Sequence, residues 1–177
     1  MTKTEIKLRP ATVADAAVVH QLVPELARYE HLEHEVSCTP ADYVRILNDP
    51  PVGFGVILAE LEDAIVGFAF FFENFSTFLA KPGLFLEDLF VLPAYRRRGV
   101  GRALFAHLLA LAKARNYGRM DWSVLSWNQP AIKFYTETLG ASLLPDWRTC
   151  RIVLEPEVGI AAPAARHMHS AFSISSA

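Results

Sequence analysis

The sequence predicts an α/β domain built on a mixed sheet, and three observations carry that reading. Strand-like and helix-like apolar periods follow one another in the order β-α-α-β-β-β-α-β-α-β. Three consecutive strands stand in the middle of this series, and a tight polar turn between the first two indicates antiparallel pairing. A long amphipathic helix then separates two further strand segments, as a crossover does.

Residues 5–9 alternate as a first strand, which Pro10 ends. Thr12 is an N-cap candidate with Asp15 at capping-box distance. Val18, Val19, Leu22, Val23 and Leu26 line one helical face that continues towards Tyr29, while Pro24, having no N–H, predicts a kink or break near Gln21. "YEHLEHEVS" is a polar, acidic loop, and Thr39-Pro40 opens a short helix through Leu47 that "NDPP" stops. Residues 55–61 and 65–72 are strands around the turn Glu62-Asp63-Ala64, and "FAFFFENF" reads as buried strand rather than a cofactor box. Residues 84–92 form a third long strand. Residues 99–115 carry Val100, Leu104, Leu108 and Leu111 on one face and close near Gly118. A strand over 120–125, a helix over 129–138 ended by Gly140, and a last strand over 147–154 complete the series. Beyond Glu155 the composition shifts to Ala, Pro, Ser and His, so a domain over 1–155 and a low-complexity tail over 156–177 are expected.

A chain of 177 residues, about half of them hydrophobic, can bury one sizeable core. Its formal net charge of −2 gives no general attraction to nucleic acid or an anionic membrane, so neither is expected as a partner. Cys38 and Cys150 are too few for a disulfide scaffold or a four-thiolate zinc site, and "MTKTEIKLRP" has no apolar leader core. The longest apolar run, near 66–72, is too short to span a bilayer. A reducing, cytoplasmic location with free thiols follows as the expectation. His31 and His34 do not make a His-Glu-x-x-His site, His167 and His169 fall in the tail, and no metal is expected. Neither cysteine has an activating neighbour, which disfavours a thiol nucleophile.

One segment stands apart: "LEDLFVLPAYRRRGVGRALF" puts two carboxylates in an apolar strand and a cationic, glycine-containing bend directly after it. Helix N-termini attract anions, glycines admit close approach, and arginines add fork-shaped phosphate donors. A P-loop is excluded because no Gly-Lys-Ser/Thr follows at the required spacing. A dinucleotide fingerprint is weak, since Leu104 occupies the place of its third glycine. A coenzyme A pyrophosphate loop and a solvated turn with helix-capping glycines both remain.

"RRRGVG" resembles the Arg/Gln-x-x-Gly-x-Gly/Ala loop of the GCN5-related N-acetyltransferases. Downstream, Asn128-Gln-Pro-Ala131-Ile-Lys-Phe134-Tyr135 followed by "TLGA" is similar to that family's Asn-x-x-Ala-x-x-Phe-Tyr stretch. A narrower likeness, from "LRPATVADAAVVHQLVPELARYEHLE" through "IVGFAFFF" and "FLEDLFVLPAYRRRGVG" to "WNQPAIKFY", looks like the spermidine/spermine (diamine) acetyltransferase branch, which includes enzymes acting on thialysine. The fold this implies has a mostly antiparallel central sheet flanked by helices, with a splayed strand pair forming an acetyl-CoA cleft.

The resemblance also implies a reaction: direct transfer of acetyl from acetyl-CoA to a small cationic amine, without metal. An alkylammonium must lose a proton before it can attack, and a carboxylate can accept it. By resemblance Glu87 is the base and Tyr135 the acid that protonates the departing sulfur. The coenzyme contacts implied are the backbone of Leu89, Phe90 and Val91, with that of Leu89 polarising the acetyl carbonyl. To these the resemblance adds the bend Arg96, Arg97, Arg98, Gly99, Val100, Gly101 and Arg102, and also Asn128, Pro130, Ala131 and Tyr135. Tyr29 and Glu30 match the branch's amine-contacting pair, and with Glu25, Glu33, Glu35, Glu87 and Asp88 they would make an acidic pocket. A homodimer is implied by resemblance only. A different amine acceptor, or a catalytically silent acyl-CoA-binding regulator, are the rival readings.

Overall fold

The computed structural model describes residues 5–154, which divide into two compact units between Ile132 and Lys133. The first unit is built on a five-stranded sheet: β1 (Lys7–Pro10), β2 (Gly55–Leu61), β3 (Ala64–Ser76), β4 (Lys81–Val91) and β5 (Met120–Trp122), adjacent in that order. β1 to β4 pair antiparallel, and β5 joins β4 in parallel. A parallel neighbour requires a crossover, and helix α3 (Val100–Ala114) supplies it. Helices α1 (Ala16–Glu30) and α2 (Pro40–Asn48) lie between β1 and β2 in sequence. The expected mixed, mostly antiparallel sheet with flanking helices is therefore present.

The local reasons are visible in the sequence. Glu62 and Asp63 both adopt positive φ (55° and 61°), the primed-turn geometry that matches strand twist in a two-residue hairpin. Thr12 and Thr39 open their helical segments with reciprocal bonds to Asp15 and Asp42. Val19, Leu22 and Leu26 of α1 pack on Val56, Leu58, Phe68, Phe70 and Phe90 of the sheet. On the other face Leu104, Phe105 and Leu108 of α3 are buried, with Phe105 edge-on to Trp122 at 4.9 Å.

Several expectations are corrected. α1 runs unbroken through Pro24 to Glu30, because the buried face of Leu22, Leu26 and Ala27 outweighs one missing backbone bond. β3 and β4 extend into a long hairpin that pairs as far as Ser76 with Lys81. β5 stops at Trp122 rather than 125. Residues 147–154 form no strand: Trp147, Ile152, Val153 and Leu154 are exposed, and no described strand pairs with them. The short α4 spans Gln129–Lys133, and the second unit has a π-helical turn over Phe134–Thr138 in which Phe134 is half-buried rather than core. The tail after Glu155 lies outside the described residues. Among the described residues no helix is long and apolar enough to cross a membrane.

Candidate active site

The far end of β4 is where the sheet opens. β5 pairs only with Leu84, Leu86 and the residue between them, so from Glu87 to Val91 one edge of β4 has no strand beside it among the described residues. Backbone N–H and C=O groups along such an edge can pair with an extended polar chain. At the same point the β3–β4 register slips: Phe70 opposes Asp88 while Phe71 opposes Leu86, leaving Glu87 as the extra residue of a bulge. Bulges re-aim side chains and end regular alternation. Glu87 is exposed, Asp88 and Leu89 are half-buried, and Phe90 and Val91 are core.

The cationic bend leads from β4 into α3. Its chain passes through two left-handed residues, Arg97 (φ 61°) and Gly99 (φ 90°), of which only the glycine adopts that conformation without steric cost. No side chain caps α3, so the N–H groups of Val100, Gly101 and Arg102 are left for an anion. A Cβ at Gly101 would meet nothing nearer than Leu89 Cδ2 at 3.8 Å and Val91 Cγ2 at 3.9 Å. The protein itself therefore does not need glycine there, and space remains over the first turn of the helix.

The arginines of this bend divide into two kinds. Arg96 donates from Nε to the Val91 carbonyl at 2.9 Å and lies over the Tyr29 ring at 4.4 Å. Arg98 pairs with Glu62 of the β2–β3 turn and covers Tyr95 at 5.5 Å. Arg97 and Arg102 are exposed and make no hydrogen bond or ion pair with the described residues. They are the two guanidiniums left to meet an anion.

A cavity of about 270 Å³ opens between the C-terminal half of α1, the acidic loop after it and β4. Val23, Leu26, Leu32 and Val36 give it apolar walls, and Glu30, Glu35 and Asp88 give it carboxylates. No Lys or Arg lines it. Burial, and then the charges of Glu87 and Glu30, push the Asp88 carboxyl up to about 7, and burial raises Glu30. Cys38 also lines the cavity and shares a hydrogen bond with Tyr43 at 3.3 Å. Burial raises the Tyr43 phenol, with Cys38 and Asp88 adding to the shift.

Of the residues singled out from sequence, the fold thus gathers Glu30, Glu35 and Asp88, with Glu87 next to them in the chain. Glu25 instead pairs with Arg28 at 2.5 Å. Tyr29 does not line the cavity: its hydroxyl donates to Asn128 Oδ1 at 3.1 Å. Asn128 is 8% exposed, and the same oxygen caps α4 by accepting from the Ala131 N–H at 3.3 Å. Tyr135 stands in the π-helical turn of the second unit, beside Phe134. Cys38 as a lining residue had no sequence signal, since only the fold returns that loop to β4. Among the described residues no group of three or more His, Cys, Asp or Glu is placed to hold a metal ion.

Known proteins resemble this chain in sequence and in fold. The acetyltransferase (GNAT) family matches residues 19–141. An L-ornithine N5-acetyltransferase from Arabidopsis thaliana is 29% identical over 82% of this chain and 83% of its own. A thialysine N-epsilon-acetyltransferase from Caenorhabditis elegans is 31% identical over 64% of this chain and 69% of its own. Among solved structures, an integron cassette protein from the mobile metagenome of V. cholerae superposes with a TM-score of 0.69 at 27% identity, covering 84% of this chain and 92% of that one.

Proposed function

We propose, since the chain belongs to the acetyltransferase (GNAT) family, that this N-acetyltransferase moves acetyl from acetyl-CoA to the primary amine of a small cationic acceptor: a diamine, a polyamine or a thialysine-like diamino acid. The observation that carries the choice of acceptor is the cavity, where apolar walls suit an alkyl chain and no Lys or Arg stands beside Glu30 and Asp88, while Glu35 at the exposed rim lies 3.5 Å from His34. A buried, uncompensated carboxylate is stabilised by a cation. The similarity to enzymes named for ornithine and thialysine supports the same class.

When bound, acetyl-CoA supplies the thioester carbonyl that the amine attacks. The chain's residues fit such a ligand: the open edge of β4 from Glu87 to Val91 suits a pantetheine arm, and the start of α3 with Arg97 and Arg102 suits a pyrophosphate. Glu30 and Asp88 hold the ammonium. Glu87 takes its proton, directly or through water, so that the nitrogen lone pair is free. The backbone of Leu89 polarises the carbonyl, and Tyr135 gives its proton to the departing sulfur, a role assigned on the motif alone. Transfer is direct, with both substrates bound. A homodimer acting in the cytoplasm is part of this reading, the first from the family likeness and the second from two free cysteines.

Replacing Tyr135 by Phe tests the chemistry. Turnover should fall by about two to four orders of magnitude, the usual worth of a positioned proton donor, while coenzyme binding stays close to wild type. Turnover near the wild-type rate would remove Tyr135 from its role, and ping-pong initial-rate patterns would reject direct transfer.

A further inference from the structure

Tyr29 was expected to touch the amine, yet its hydroxyl is engaged elsewhere. It donates to Asn128 Oδ1 at 3.1 Å, and that oxygen also accepts from the Ala131 N–H at 3.3 Å. Its ring carries the Arg96 guanidinium at 4.4 Å, and Arg96 in turn holds the Val91 carbonyl at 2.9 Å and lies 5.7 Å from the Phe90 ring. The indole of Trp127 lies 6.1 Å from the Tyr29 ring, tilted against it. One side chain at the end of α1 thus joins three places: the last residue of β4, the first residue of the cationic bend, and the cap of α4. The first two lie five positions apart, whereas Tyr29 and Asn128 are 99 positions from each other. Glu30, the next residue along α1, lines the acidic cavity.

We infer that Tyr29 is a positioning residue for the coenzyme loop, fixing Arg96 by its ring and Asn128 by its hydroxyl, and that it is not a contact for the acceptor amine. The inference rests on the reading of the bend as the coenzyme loop. Its physical basis is the pairing of a planar cation with an aromatic face and of a phenol with a buried amide oxygen, both partly buried. With Arg96 held in this way, it is not one of the arginines that meets phosphate. It shapes the bend from which Arg97 and the start of α3 do so.

Tyr29→Phe keeps the ring over Arg96 and removes only the donor to Asn128, whereas Tyr29→Leu removes both. Coenzyme A affinity, measured by titration calorimetry, should weaken about three- to tenfold in Tyr29→Phe, in line with one lost hydrogen bond, and further in Tyr29→Leu. The KM of the best amine from a panel of putrescine, spermidine, ornithine and thialysine should stay within about twofold in Tyr29→Phe, a split that general loss of structure would not produce. Thermal melting of both variants confirms that they are folded. A raised amine KM with unchanged coenzyme affinity would overturn the inference and return Tyr29 to the acceptor. Unchanged values for both ligands in a folded Tyr29→Leu would overturn it too. A wild-type chain that binds no coenzyme A would instead strike the reading of the bend itself, and this inference with it.

Discussion

Asp88 keeps its proton to about pH 7 in the folded chain because burial and two neighbouring carboxylates disfavour its charge. In an unfolded chain it ionises near 4. Between these values the native state binds a proton that the unfolded state has released, so the free protein loses stability as pH rises through that window. A bound cation offsets this loss. The best amine should therefore raise the melting temperature more at pH 8 than at pH 5, and Asp88→Asn should abolish the difference. The same variant should raise the amine KM about thirtyfold, as expected when a half-buried charge partner worth ~2 kcal/mol is removed. An unchanged KM would take Asp88 out of the acceptor site. Asp15 has the opposite sign. Arg9 grips it with bonds of 2.7 and 2.8 Å and holds its carboxyl well below the usual range, so its contribution is present above the ordinary carboxylate pKa and lost as pH falls. Asp15→Ala should cost about 1–3 kcal/mol at pH 7, and the gap from wild type should narrow at pH 3 in urea unfolding. A gap of equal size at both pH values would assign the effect to packing. The sequence names both aspartates but not their environments. Asp15 lies six positions from Arg9, whereas Glu30 comes to Asp88 across α1 and the sheet.

At the level of elements, the bend between β4 and α3 shows what a motif conveys and what it omits. "RRRGVG" marks a helix start rich in donors, and the fold supplies one, uncapped and with a left-handed glycine before it. The motif cannot tell which arginines are already engaged, because Val91, Tyr29 and Glu62 reach them only after folding. Arg97→Ala and Arg102→Ala should each raise the acetyl-CoA KM and lower its dependence on salt, and Arg98→Ala should do so less. Equal effects of all three, read from initial rates between about 50 and 200 mM salt, would contradict the division. Other departures have the same origin. Alternation along "LEDLFV" suggests two carboxylates on opposite sides of a strand, but the bulge at Glu87 breaks the alternation, and a bulge depends on the partner strand. Pro24 argues locally for a broken helix, and the buried face of α1 overrides it. The apolar run Ile152-Val153-Leu154 at the end of 147–154 has no ladder to join among the described residues.

Across the whole molecule, hydrophobic period and turn chemistry were enough to place β1 to β4, the crossover helix and β5 in order. These signals are local and recur in every strand and helix. The splay between β4 and β5 was implied by family resemblance rather than read from pattern, since no residue type marks where a strand loses its neighbour. The acidic cavity was only half legible: its carboxylates could be named, but their convergence with Cys38 and the apolar side of α1 is a property of the fold. The central claim joins these parts into one catalyst for small cationic amines. Its most direct test is release of free thiol from acetyl-CoA by the purified wild-type chain over a panel of diamines, polyamines, diamino acids and a neutral monoamine. The account predicts saturable, amine-dependent release that favours acceptors with a second cationic group. Coenzyme binding without release on any amine would contradict it and identify the chain as a silent acyl-CoA-binding protein.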